Sequence, residues 1–130
     1  MLDEEGALQA STVAAPQGGV PAPIGRFTFY LKDSGNVYPL HAGLNSVGRL
    51  PDNDVVIRDE CVSRRHCAVV IHHDLRCELH DVASKNGTLL NGKKIPGPTR
   101  LQSGDQIILC GRRLTFHIAE LPAEPVENNS

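Results

Sequence analysis

The chain has 130 residues, 40% of them apolar and 22% charged, with a formal charge of −2. That is long enough for one domain with its own core and too apolar for wholesale disorder. No apolar run approaches the ~20 residues that a membrane helix needs.

The distribution of charge says more than the total. All 13 Lys and Arg fall between Arg26 and Arg113, while Asp3, Glu4, Glu5, Glu120, Glu124 and Glu127 lie outside residues 26–118. Thirteen cations against the nine remaining acids leave that middle stretch at +4 between two acidic ends. A modestly basic body suits an anionic partner. It is too weakly basic to mark a duplex nucleic-acid binder.

Residues 1–25 contain VAAPQGGVPAP and read as a flexible leader. The best helix candidate in the chain, LQASTVAAP, is short and built from poor helix formers. The ordered domain is expected over residues 26–118. In RFTFYL, Phe27, Phe29 and Leu31 share one side by period two. Asp33-Ser34-Gly35-Asn36 supplies a turn, and VYPL, NSVGR and DVVI follow as short strands. CAVVIHH is the clearest strand, with Cys67, Val69 and Ile71 on one face. RCELHDV pairs with it, placing Cys77, Leu79 and Asp81 on one side. GTLLNGKKI carries Asn91-Gly92, the strongest short-range hairpin signal. QIILC and RLTFHIA form a last hairpin around Gly111, and residues 119–130 read as a flexible acidic tail. Many short strands separated by Gly, Asp and Asn turns predict an all-β domain, a two-layer sandwich or a small barrel.

Cys61, Cys67, Cys77 and Cys110 form no CxxC pair and no zinc-ribbon spacing. They read as free thiols serving as small core hydrophobes. Four cysteines admit two disulfides, but nothing in the sequence demands them. The acidic N-terminus lacks the basic start of a secretory signal, so the chain reads as cytoplasmic, with a nuclear location left open.

Four polar clusters interrupt the strands: Gly48-Arg49, Ser63-Arg64-Arg65-His66, Ser84-Lys85-Asn86-Gly87-Thr88 and Asn91-Gly92. Loops on a rigid scaffold are common places for recognition. Arg49, Ser63, Arg64 and Lys85 offer guanidinium forks, a hydroxyl and a point charge, which match a phosphate dianion. Asn86 carries both a carbonyl and an amide and can pair with a peptide backbone. Each also has a plainer role: a solvated Arg, a Ser that caps its loop, a His66 that locks a loop, and a tight turn at Asn91-Gly92.

In order, spacing and strand context, Gly48-Arg49, Ser63-x-x-His66, Asn86-Gly87-Thr88, Asn91-Gly92 and LQSGDQIILCG resemble the forkhead-associated (FHA) domain family over roughly residues 26–118. The resemblance implies a β-sandwich of about eleven mostly antiparallel strands that binds phosphothreonine peptides through loops at one end, without a cofactor. It implies that Arg49 and Ser63 contact the phosphate, with Arg64 beside them. It gives Asn86 the peptide main chain, His66 and Gly87 structural support of the loops, and Thr88 the steadying of the next strand. Lys85 departs from the Ser or Thr common in the family before the Asn. Cys61 lies where the family helps to choose the residue three places after the phosphothreonine; being small and uncharged, it favours an aliphatic one. The partners implied are a phosphothreonine protein and an upstream Ser/Thr kinase. Phosphorylated Thr12 in the leader is a candidate self-ligand.

The same residues admit other readings. Ser63, His66 and Asp81 invite a catalytic triad, but no nucleophile elbow accompanies them. His72, His73, His80 and Cys77 invite a metal, yet adjacent histidines in a strand point to opposite faces. Phe and Tyr fit strand-core patterns better than the stacking platforms of a nucleic-acid binder. The main alternative is a β-sandwich assembly module whose partner binding does not depend on phosphate.

Overall fold

The computed structural model describes residues 22–122. Thr12 and the LQASTVAAP helix candidate lie outside them. The described residues contain eleven strands and no helix. In chain order these are β1 (Phe27–Asp33), β2 (Asn36–Pro39), β3 (Gly43–Gly48), β4 (Val55–Val56), β5 (Cys67–Ile71), β6 (Cys77–Asp81), β7 (Leu89–Leu90), β8 (Lys93–Lys94), β9 (Thr99–Leu101), β10 (Gln106–Leu109) and β11 (Arg112–Glu120).

They form two sheets. One has the order β9-β6-β5-β3-β4 and the other β2-β1-β11-β10-β7-β8. All pairings are antiparallel except β3 with β4, where Val47 and Gly48 run alongside Val55 and Val56. This is the expected sandwich, and the small barrel is set aside. The last strand runs past the expected boundary at 118: Ala119 pairs with Thr28 and Glu120 with Phe27.

Alternation in the sequence becomes burial in the structure. Phe29 and Leu31 of β1 are buried while Lys32 is exposed. Cys67, Val69 and Ile71 of β5, Cys77 and Leu79 of β6, and Leu114 and Phe116 of β11 close the layer between the sheets. Each large apolar side chain removed from water here contributes ~1.5–3 kcal/mol before ordering costs are set against it. His72 and His73 lie beyond the end of β5.

Three two-residue hairpin turns punctuate the six-stranded sheet. Ser34-Gly35, Asn91-Gly92 and Cys110-Gly111 each place both residues at positive φ, as the twist of type I′ hairpins requires. The Asn91 side chain also leaves its own turn. Its Nδ2 donates to Asp105 Oδ1 at 3.0 Å and its Oδ1 accepts the Gln106 amide at 2.9 Å.

Candidate functional site

Strand β3 ends at Gly48, and the chain there runs directly beneath the loop before β5. A Cβ at Gly48 would lie 2.2 Å from the Arg64 carbonyl oxygen. Only glycine lets the two backbones come this close. The approach is used at once. The Arg49 amide donates to the Ser63 carbonyl at 3.0 Å, and the Leu50 amide donates to the Arg64 carbonyl at 3.3 Å. Arg49 Nε donates to the Val62 carbonyl at 3.1 Å, which anchors the guanidinium beside Ser63. Buried Asn53 adds a clamp, its Nδ2 donating to both the Leu50 and Arg64 carbonyls at 2.9 Å.

His66 joins this loop to the segment between β6 and β7. Its ring is fully buried. Nδ1 accepts the Ser63 amide at 3.0 Å, so the ring proton sits on Nε2, which donates to the Gly87 carbonyl at 2.8 Å. The His66 amide donates to Val47, and the Val82 amide donates to the His66 carbonyl. Neither ring nitrogen is bonded to the Ser63 hydroxyl. That hydroxyl instead accepts the Lys85 amide at 3.1 Å.

The β6–β7 segment is held from below by Asp81. One carboxylate oxygen accepts the Ser84 hydroxyl at 2.6 Å and the Thr88 hydroxyl at 2.7 Å; the other accepts the Ser84 amide at 3.1 Å. Ser84 Oγ accepts the Gly87 amide at 2.8 Å. Partial burial opposes the Asp81 charge, but these three donors outweigh it and hold its carboxyl below the usual carboxylate range. Thr88 is buried, just before β7, with its hydroxyl on Asp81.

Asn86 completes the arrangement. It is exposed, and its Nδ2 lies 3.5 Å from the Cys61 carbonyl and 3.4 Å from Cys110 Sγ. Arg49, Ser63, Lys85, Asn86 and Cys61 therefore belong to one hydrogen-bonded set of loops. Among the described residues no carboxylate pairs with Arg49, Arg64 or Lys85. The Arg–carboxylate pairs among the described residues belong to Arg26, Arg65, Arg76 and Arg112 instead. A loop end whose three cations form no ion pair among the described residues is suited to an external anion.

One reading of the sequence is corrected here. The cysteines are not all free: Cys61 and Cys110 form a disulfide, with Cα atoms 5.9 Å apart across 49 residues of sequence. Cys67 and Cys77 remain free and buried, as core residues. Arg65, at the surface, bonds Asp52 and Asn53 and so fastens the loop from outside. Ser63, His66 and Asp81 make no triad, because His66 faces two backbone groups and Asp81 faces two hydroxyls. His72 and His80 each bond Glu78 at 3.2 Å, while Cys77 lies in the core. No cluster of three or more candidate metal ligands occurs among the described residues. Asn53 and Cys110 were not picked out by sequence: an Asn in PDND reads as a turn residue, and Cys110 looks like the end of an apolar strand.

A rigid sandwich with one hydrogen-bonded loop end, anion-receptive and lacking a nucleophile–base pair among these residues, defines a recognition module. The FHA domain model matches residues 45–110, about half of the chain, and the chain belongs to that family. It is 38% identical over 92 residues to the transcriptional regulatory protein EmbR of Mycobacterium tuberculosis, covering 69% of this chain and 24% of EmbR. It is 32% identical to the glycogen accumulation regulator GarA of the same organism, covering 83% of this chain and 67% of GarA. The structure of EmbR with a low-affinity phosphopeptide superposes with a TM-score of 0.67 at 34% identity, covering 75% of this chain and 26% of that one. The chain thus spans about a quarter of EmbR's length. Among the described residues, no helix is long and apolar enough to cross a membrane.

Proposed function

We propose that this chain is a non-catalytic module that binds phosphothreonine-containing peptides or proteins and acts as a scaffold or regulator downstream of a Ser/Thr kinase, in the cytoplasm. The observation that carries the reading is the convergence of Arg49, Ser63, Lys85 and Asn86 on one loop end whose cations form no ion pair with a carboxylate among the described residues. The Arg49 guanidinium, the Ser63 hydroxyl and nearby loop amides receive the phosphate oxygens. Arg64 and Lys85 add charge at the rim. Asn86, already turned to a backbone carbonyl, exchanges that weak contact for the peptide main chain. The hydrogen bonds of His66, Asn53 and Asp81 hold the loops in place before ligand arrives, which lowers the ordering cost of binding. EmbR's complex with a phosphopeptide is in keeping with this mode. A phosphorylated Thr12 would present the same chemistry to the site of its own or a neighbouring chain.

The test is calorimetry with a degenerate phosphothreonine peptide pool, its phosphoserine counterpart and its unmodified counterpart, on the native chain and on Arg49→Ala. Tight binding confined to the phosphothreonine pool is expected. Losing a charged hydrogen bond of ~1.5–3 kcal/mol should weaken it at least about tenfold in the variant, with the fold intact. Equal binding of the unmodified pool would sink the proposal and favour phosphate-independent assembly.

A further inference from the structure

The Cys61–Cys110 pair is placed unlike the other cysteines. Cys67 and Cys77 are buried and free, and burial raises both thiols above the ordinary range, Cys77 to about 11. Such groups are poor thiolates. Cys61 is exposed and Cys110 half-buried, so their disulfide is open to attack from solvent. Cys61 lies two residues before Ser63, and Asn86 Nδ2 is within 3.8 Å of its sulfur and 3.4 Å of that of Cys110. The bond therefore ties the Ser63 loop to the β10–β11 turn right beside the side chain assigned to the peptide backbone. Cys110 also occupies a positive-φ turn position (φ 53°) ordinarily given to Asn, Asp or Gly. Turn geometry gives no reason for a cysteine there, whereas the pairing does.

We propose that Cys61 and Cys110 are a reversible thiol–disulfide site that sets the affinity of the adjacent peptide groove. This inference rests on the phosphothreonine reading above and adds its regulation. In the oxidised form the Ser63 loop and the β10–β11 turn are one unit and Asn86 has a fixed wall. In the reduced form the two sulfurs must separate to van der Waals contact, and the loop loses its covalent tether. Oxidation proceeds by exchange with a low-molecular-weight disulfide. The thiolate of one cysteine attacks a sulfur of that disulfide and releases one thiol; the other cysteine attacks the mixed disulfide at the protein sulfur and releases the second. Two electrons and two protons pass from the pair to the exchange partner. A dithiol reverses both steps.

The experiment uses the full chain, equilibrated with oxidised glutathione or with dithiothreitol. Alkylation of the unfolded chain followed by intact mass counts the free thiols, and calorimetry with the phosphothreonine pool and its unmodified counterpart measures binding. Oxidised protein should show two alkylatable thiols against four in reduced protein, and bind the phosphorylated pool about fivefold more tightly than reduced protein, the scale of one or two ordered side chains. The double variant C61S/C110S should bind like reduced protein in both buffers. Equal affinity of the two states, or four alkylatable thiols after oxidation, overturns the proposal and leaves phosphothreonine binding standing. Absence of phosphate-dependent binding in both states overturns the underlying reading, and this proposal with it.

Discussion

Gly48 lies so close beneath the Arg64 carbonyl that a single added methyl group would stand 2.2 Å from that oxygen. The neighbour is backbone, held by Leu50 and Asn53, and has no side-chain freedom with which to move aside. Gly48→Ala should destabilise the domain by about 1–3 kcal/mol, the usual cost of overpacking. It should also weaken phosphopeptide binding more than a stability loss alone explains, because the displaced loop carries Ser63. Urea unfolding and calorimetry at a temperature where both proteins are folded separate the two effects.

His66→Ala removes a ring that serves one backbone donor and one backbone acceptor in a buried place. The Ser63 amide and the Gly87 carbonyl lose their partners together, each at ~1–3 kcal/mol, and the vacated volume adds to this. A loss of about 2–5 kcal/mol by urea unfolding is expected. Unchanged stability would mean that the ring is not the brace between the loops.

Asp81 supplies a pH dependence with a definite sign. Its carboxyl is depressed in the folded state, despite partial burial, by the hydroxyls of Ser84 and Thr88 and the Ser84 amide. Its contribution is therefore fully present above the unfolded-state value near ~3.9 and is lost as pH falls through the lower folded-state value. Asp81→Asn should flatten the acid limb of stability between about pH 5 and pH 2 while lowering stability at neutral pH. Chemical denaturation across that range, native against variant, reads both effects.

At Lys85 the backbone and the side chain have separate parts. The amide bonds Ser63 Oγ whatever the side chain is, and the ammonium is an exposed charge. Lys85→Ala should keep the loop intact and weaken phosphopeptide binding only about threefold in low salt. That loss should vanish in high salt, where exposed charges are screened. A loss that persists at 1 M salt would instead mean a direct contact with the phosphate.

Much of the fold is legible in sequence because a half-buried strand writes its pleat into the chain. Phe29 and Leu31, or Cys67, Val69 and Ile71, recur at every second position, and Asn91-Gly92 names its own turn. The β3–β4 parallel pairing is not legible, since Val55 and Val56 are both buried and show no alternation. The polar clusters of the site could be found as interruptions between strands, and their likeness to a known family brought them together. Their bonding could not be found: His66 and Gly87 are 21 residues apart, and Cys61 and Cys110 are 49 apart. Nothing local marks either pair, because both are consequences of how the two sheets stack their connections.

The pairing of β1 with β11 also decides how the domain joins whatever flanks it. Arg26 and Leu121 are hydrogen-bonded, with Glu120 facing Phe27. The Cys110-Gly111 turn lies at the opposite end of the nine-residue β11, roughly 25 Å away at ~3.3 Å per residue. Polypeptide therefore enters and leaves side by side, at the pole remote from the Cys110-Gly111 turn and the loops bonded to it. Adjacent strand ends of this kind let a domain be inserted between flanking segments at one pole, which then do not cross its opposite tip.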